Sequence, residues 1–430
     1  MQNPEIQPPK QPTSTGVVII GGGVAGVTAA LFLAEAGIST VLCEKGVIAG
    51  EQSSRNWGWI RKQGRAVEEL PLMIESARLW ERIAAELDED IGFRKGGSTY
   101  LATNEAEFEV RAGWLEKTKD FDLNTQLLNS KQTDALLGQD GKRFVGATHT
   151  PDDAYAEPAL AVPAISRLLQ RKGGVVLENT AVRTLMREAG KVVGVVTEHG
   201  AIRADGVILA GGIWSRSLLE NEGVSFPQLA IRSSVLRTTP AQAFASSTFG
   251  AAGASIRPRV DGGYTIARGG AAGHEITPAS LRHFAAFVPM IKEQWKIIKL
   301  SLGSSFFGPL GYHRWQADQT SPFEGVRTMN PKPDQKLLDD VMKSAQALYP
   351  QLSQARSIET WAGLIDVMPD ELCTVGLLPE LPGLVLATGM SGHGFGLGPG
   401  VGMLAAQLVS GETPLLHHEA ISPVRFVKKP

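Results

Sequence analysis

Apolar and polar positions change period several times along the chain. Residues 17–20 form a short β-branched run, the pattern of a strand buried on both faces. Apolar residues at helical spacing follow from Val24 and stop at Gly37, a good helix terminator. Residues 40–43 repeat the short apolar run. The same order returns late in the chain, where 384–388 precede a glycine-rich turn and then VGMLAAQLV (401–409). Between these ends, 173–179, 192–198 and 201–210 alternate strand patterns with glycine turns, predicting a small β-meander. Helical spacing marks 71–89, 277–300 and 334–349. Residues 1–15 are polar and proline-rich, which predicts a disordered lead-in rather than a signal peptide. Residues 17–37 are hydropathic enough to suggest a span, but their glycine cluster and passage into VLCEK argue for a buried strand and helix. No internal repeat is visible.

Composition narrows the classes. At 430 residues two domains are expected, and Lys+Arg 42 against Asp+Glu 44 leaves a net charge of −2, without the basic excess a general nucleic-acid binder needs. Two cysteines, Cys43 and Cys373, make neither a disulfide framework nor a cysteine metal site and fit a reducing, cytoplasmic setting. No His/Cys/Asp/Glu cluster has metal-ligand spacing, so no metal is expected, and no nucleophile elbow occurs. Glycine is over-represented at 48 residues, against a usual ~7%.

Where the glycines sit carries the chemistry. The first strand feeds Gly21, Gly22, Gly23, Val24, Ala25 and Gly26, then a helix, a second strand and Glu44. This is the dinucleotide fingerprint with its context intact. Gly21 permits the tight turn, Gly23 lets backbone N–H groups approach a pyrophosphate, and Gly26 lets helix and strand pack closely. The helix N-terminus favours phosphate charge, and Glu44 can accept hydrogen bonds from a ribose. The late turn, Gly389 to Gly400, brings a second helix N-terminus. Two such turns suit FAD, a long cofactor whose N1/O2 edge needs stabilising when reduced. No second G-x-G-x-x-G follows a strand, so electrons are expected from a substrate rather than from NAD(P)H.

Further segments carry a resemblance over nearly the whole chain. ADGVILAGGIWSRSL (204–218), WAGLIDVMPD (361–370) and ATGMSGHGFGLGPG (387–400) resemble the FAD-dependent amino-acid and amine oxidoreductases of the D-amino-acid oxidase/glycine oxidase/sarcosine oxidase superfamily. EKGVIAGEQSSR (44–55) and SPFE (321–324) are similar to the membrane-associated bacterial L-amino-acid deaminases, although no N-terminal anchor like theirs is expected from residues 1–15. The resemblance implies an α/β fold in which a Rossmann-like FAD-binding domain is interleaved with an α+β substrate domain built on an antiparallel sheet. FAD-domain segments are expected at 16–95, 145–230 and 325–430, and substrate-domain segments at 96–144 and 231–324. Sarcosine oxidases attach flavin to a cysteine in the segment matching 360–365; here Trp361, Ala362 and Gly363 imply non-covalent FAD. They also carry a lysine where this chain has Gly396, leaving O2 or another acceptor open.

The same resemblance assigns residues. Lys45, Ser53, Ser54, Arg55, Asn56, Trp57 and Gly58 match the segment that wraps the pyrophosphate and reaches the flavin; hydroxyls and a cation suit phosphate. Val182 matches the position whose backbone meets adenine. Gly211, Trp214 and Gly363 belong to the matched cofactor segments, and Thr388, Gly389, Gly392, His393, Gly394, Phe395 and Gly396 to the flavin loop. His393 reads either as a group polarising the flavin or as an imidazole holding loop backbone.

Oxidising an amino acid means moving its α-hydrogen as hydride to flavin N5, with the amine neutral, so positioning dominates. Arginine is the natural carboxylate anchor. Arg268, ending a period-2 strand, resembles the deaminases' carboxylate anchor, against the plainer reading of a solvated arginine. Arg61 falls where sarcosine oxidases place a substrate arginine, against a phosphate or structural contact. Trp57, Trp59, Tyr264 and Met390 are expected around the substrate, although an aromatic is as readily plain core. The expected product is an imine that hydrolyses to a 2-oxo acid plus ammonia or amine. The alternative is a flavoprotein subunit passing electrons from an amine or opine-type substrate to a partner protein or membrane quinone. Residues 291–302 read as a basic helix over the substrate domain or, as an alternative, against a membrane surface. An oligomer is compatible with all of this.

Overall fold

The computed structural model describes residues 10–139, 143–294, 298–311 and 313–426. Among these, one sheet of eight strands has Ser14–Ile20 near its centre. That strand lies parallel to Gly200–Leu209 on one side and Thr40–Cys43 on the other, with Ile20 opposite Leu209 and Cys43. Val175–Leu177 extends the sheet past Thr40–Cys43, and Leu384–Thr388 past Gly200–Leu209. Lys191–Thr197 pairs with Gly200–Leu209 and with Val182–Glu188 to form a meander. Of the three runs expected in it, 173–179 supplies Val175–Leu177 beside Thr40–Cys43 instead, and Val182–Glu188 takes its place. Two apolar clusters cover the two faces of this sheet. Continuous β-branched runs therefore become central strands because neither face meets water.

The opening strand starts at Ser14, inside the expected lead-in. Ser14 and Thr15 are drawn into the ladder by Arg203 and Ala204, a tertiary pairing that local polarity does not reveal. Residues 1–9 lie outside the described set.

A second sheet of ten strands runs from Ile298–Ser301 through Leu229–Thr238 and Ser98–Ala102 to Gln126–Asn129. Most pairs are antiparallel; Thr248–Gly250 with Ser98–Ala102, and Ala272–Glu275 with Ile298–Ser301, are parallel. The helix Gln335–Leu348 packs on it through Leu338, Val341 and Ala345. Gly146–Thr150 and Ser357–Val367, which fall in segments expected for the FAD-binding domain, pair in this second sheet against Ser98–Ala102 and Leu229–Thr238.

The helix expected across 291–302 is not continuous. It ends at Gln294, and Ile298–Ser301 pairs as an edge strand with Ala272–Glu275. Apolar residues spaced through so short a stretch fit either period, and the free edge of the second sheet selects strand. Trp295 and Lys296 lie outside the described residues. No helix among the described residues is long and apolar enough to cross a membrane.

Candidate active site and cofactor cleft

The two glycine turns open on one cavity of about 630 Å³. Its wall includes Gly21, Gly23, Val24 and Ala25 from the first turn and Gly392, His393, Gly394, Phe395 and Gly396 from the second. First-turn N–H groups of a helix have no intrahelical partner, so both helix ends present donors there.

Glycine is demanded by contact at the first turn. A Cβ on Gly26 would lie 2.0 Å from the Gly21 carbonyl oxygen, and Gly21 itself has φ +109°. Glu44 holds the turn from the next strand, its carboxylate accepting the Gly22 and Gly46 amides at 2.7 Å each. Burial pushes its pKa up, against the pull of those amides. Val24 donates its amide to Ser53 Oγ at 2.9 Å.

The second turn is supported by a helix 315 to 324 residues earlier in sequence. Gly394–Ser410 contains Pro399, which has no N–H for the Phe395 carbonyl. Trp80 Nε1 donates to that carbonyl at 3.1 Å instead. Ser76 Oγ donates to the Gly396 carbonyl at 2.6 Å and accepts the Gly400 amide at 3.0 Å. The helix Leu70–Glu86 thereby repairs the interrupted ladder. On the opposite side Thr28 Oγ1 donates to the Gly398 carbonyl at 3.0 Å, and a Cβ on Gly402 would lie 2.2 Å from Thr28 Oγ1. The glycines let the two cofactor-facing helices touch.

The loop between Thr388 and His393 is held by Asp366. Its Oδ2 accepts from the Gly389 and Met390 amides at 2.8 and 3.1 Å, and from Gln228 Nε2 at 3.3 Å. Burial raises its carboxyl to about 6 despite those amides. His393 Nδ1 meets Glu69 Oε2 at 3.1 Å, and Glu69 Oε1 accepts the Cys373 amide at 2.9 Å. Of its two readings, the contact found is a carboxylate rather than loop backbone. Burial, and then the Arg65 cation, hold the imidazole down to about 4. Burial favours the protonated form of Glu69, but the His393 and Arg65 contacts outweigh it and hold the carboxyl at about 2. At neutral pH this is a carboxylate beside an uncharged imidazole.

Beyond the loop, aromatic and cationic groups gather. Trp57 and Trp59 meet edge to face with centroids 5.9 Å apart, as do Trp59 and Tyr100. Both tryptophans, Tyr100 and Met390 line the cavity, along with Arg61, Arg65 and Arg268. Arg268 is no solvated strand end: Nε donates to the Gly253 carbonyl at 2.9 Å and Nη2 to Ser344 Oγ at 3.1 Å. Arg61 lies 5.3 Å from the Tyr100 ring centre. Burial, with Arg61 beside it, pushes the Arg65 guanidinium down to about 9.

Val182, Gly211, Trp214, Gly363 and Thr388 also line the cleft. Gly26, Ser54, Gly58 and Gly389 stand behind the wall and shape its backbone. Three expectations change. Tyr264 is 3% exposed, stacks on Phe244 at 5.6 Å and belongs to the core of the second sheet, because strand alternation turns it away from the cavity. Arg55 contributes to the wall, but its guanidinium is bound to the Met329, Ala362 and Gly50 carbonyls and to Asn330; it clasps loops rather than offering a free cation to phosphate. Lys45 is similarly engaged, by Glu51 at 2.8 Å and two carbonyls, with its Nζ 4.5 Å from the Trp214 ring centre. Arg65, Glu69, Tyr100, Asp366 and Gln228 were not anticipated. Each is an ordinary polar residue in sequence, distinguished only by where the fold puts it.

The residues fit FAD. Two helix ends, a glycine cradle and Glu44 suit its phosphates and ribose, and Gln52 Oε1 is buried without a donor beside Gly363. A fold and site of this kind define a flavin-dependent oxidoreductase. The chain belongs to the DAO family of FAD dependent oxidoreductases, which it matches over residues 16–408. It is 26% identical to the sarcosine oxidase β subunit of an Arthrobacter species, over 97% of this chain and 92% of that one. It is 25% identical to the glycine oxidase of Pseudomonas aeruginosa, over 95% and 99%. The solved structure of L-amino acid deaminase from Proteus myxofaciens in complex with anthranilate superposes with a TM-score of 0.92 at 29% identity, covering 98% of this chain and 95% of that one.

Proposed function

We propose that the protein oxidises the C–N bond of an amino acid or N-alkyl amino acid, using FAD held non-covalently. The convergence of both glycine turns on one cavity that also contains Arg268 and Arg61 carries this reading. FAD supplies the acceptor for the hydride leaving Cα, two electrons and one proton, and water then hydrolyses the resulting imine to a 2-oxo acid plus ammonia or amine. Arg268, fixed by Gly253 and Ser344, anchors the carboxylate so that Cα faces the flavin. Trp57, Trp59 and Met390 exclude water around the reacting carbon. His393, uncharged and tied to Glu69, places no positive charge against the amine. Nor does it store the amine's proton, so kcat/KM rises with pH towards the substrate amine's own pKa.

Non-covalent attachment is supported by Trp361, Ala362 and Gly363, where no cysteine is offered. The free, buried Cys43 and Cys373 fit a cytoplasmic location. In this reading segments around the first sheet hold the cofactor and those around the second hold the substrate. The test is anaerobic: purified yellow protein should bleach with its substrate, and oxidised flavin persisting across amino acids and secondary amines overturns the reading. Following O2 consumption against dye reduction in the same preparation assigns the acceptor, including transfer to a partner protein or quinone.

A further inference from the structure

We propose that the cavity selects a dicarboxylate amine, one carboxylate held by Arg268 and the second by Arg61 and Arg65. This rests on the amine-oxidising reading above and names its substrate class.

Four arginines line one cavity. Arg55 is spent on loop carbonyls, and none of Arg61, Arg65 and Arg268 forms a salt bridge among the described residues, although the Glu69 and Asp153 carboxylates act on Arg65 electrostatically. Arg65 is the most telling. It is 4% exposed, its Nε reaches the Arg61 carbonyl at 3.3 Å, and its Nη1 is buried without an acceptor. A desolvated guanidinium with unmatched donors is costly unless an anion completes it. Arg61 reaches the Gln63 carbonyl through Nη1 and otherwise lies over the faces of Tyr100 and Trp59. Its positive charge is not cancelled there. Two guanidiniums four residues apart, at a cavity wall, make a site for a carboxylate.

This site is separate from Arg268. Gly269, next to Arg268, would bring a Cβ within 3.9 Å of the Trp57 ring. The Trp57 and Trp59 ring centres are 5.9 Å apart, and Arg61 Cζ lies 6.0 Å from the Trp59 ring centre. An aromatic wall therefore runs between the two cationic groups. A single carboxylate satisfies one of them. An amine with carboxylates on both sides of an apolar spacer satisfies both, as N-(carboxyalkyl) amino acids and acidic amino acids do.

Binding is tested first, without turnover. FAD-loaded full-length protein is titrated with glutarate and with butyrate, following tryptophan fluorescence and flavin absorbance. Glutarate should bind roughly 10- to 100-fold more tightly, the range expected for one added charge-assisted pair. Arg65→Gln and Arg61→Gln should each shrink that ratio, and Arg65→Lys should restore part of it. Equal affinities in the unaltered protein overturn the proposal, and this comparison needs no variant to fold. So does an Arg65→Gln effect confined to flavin retention with the ratio unchanged. Anaerobic bleaching by iminodiacetate and N-(1-carboxyethyl) amino acids, against glutamate and aspartate, separates the two sources of dicarboxylate, with sarcosine and glycine as monocarboxylate controls. Monocarboxylates bleaching flavin equally well sinks the selectivity alone. Tight glutarate binding with no amine bleaching the flavin sinks the oxidation reading and leaves the binding site standing.

Discussion

Arg257 and Arg65 are both buried, at 1% and 4% exposure, yet the fold treats them differently. Arg257 fills all five of its donors. Nη1 and Nη2 each meet a Glu157 oxygen at 2.9 Å, and the rest go to the Trp57 and Pro258 carbonyls and Thr265 Oγ1. Arg65 has one long hydrogen bond and an unmatched Nη1. Arg257 braces the turn at Gly58, where a Cβ would lie 2.3 Å from the Ala156 carbonyl oxygen. Arg65 faces the cavity. A structural cation is completed within the chain; one left incomplete beside a cavity points to an outside partner.

Breaking the completed site should have the largest effect. Glu157→Gln leaves Arg257 without its carboxylate and Arg259 with Asp261 alone, and should cost about 3–5 kcal/mol in denaturant unfolding. A third buried charge, Asp366, probes the flavin loop. Asp366→Ala orphans the Gly389 and Met390 amides at about 1–3 kcal/mol each, whereas Asp366→Asn keeps an acceptor. The asparagine variant should also lose a pH slope. The folded pKa of about 6 lies above the ordinary 3.8, so the folded chain binds the extra proton between them. The unaltered protein's stability therefore falls as pH rises through that window, and the difference between the two curves isolates the term.

Smaller effects come from Arg65 itself. Arg65→Gln removes a cation that disfavours imidazolium, so the His393 titration midpoint should climb from about 4 towards 6.5, read by NMR of its ring protons. Stability should change by no more than about 1 kcal/mol, or increase, because a desolvated cation is lost without an ion pair. A loss as large as that of Glu157→Gln erases the contrast between the two arginines.

Sequence reading reached furthest where signals are local. The strands Thr40–Cys43 and Leu384–Thr388 have the bounds their apolar runs indicate, and both glycine turns lie where their spacing places them. It failed where the partner decides. Tyr264 could face either side of its strand until Gln335–Leu348 covers one side. Arg55 looked like a phosphate ligand because nothing nearby in sequence shows the carbonyls of Met329 and Ala362. Glu69 acquires its role from His393, 324 residues onward.

The repair of Pro399 by Ser76 and Trp80 bears on biosynthesis. The seam that seats the late helix joins segments made far apart in time, and contacts of such long range form slowly. Until Gly394–Ser410 leaves the ribosome, the apolar flank of Val24–Glu35 has no cover from it. A chaperone clasping that flank on the nascent chain should let go only once Gly394–Ser410 arrives.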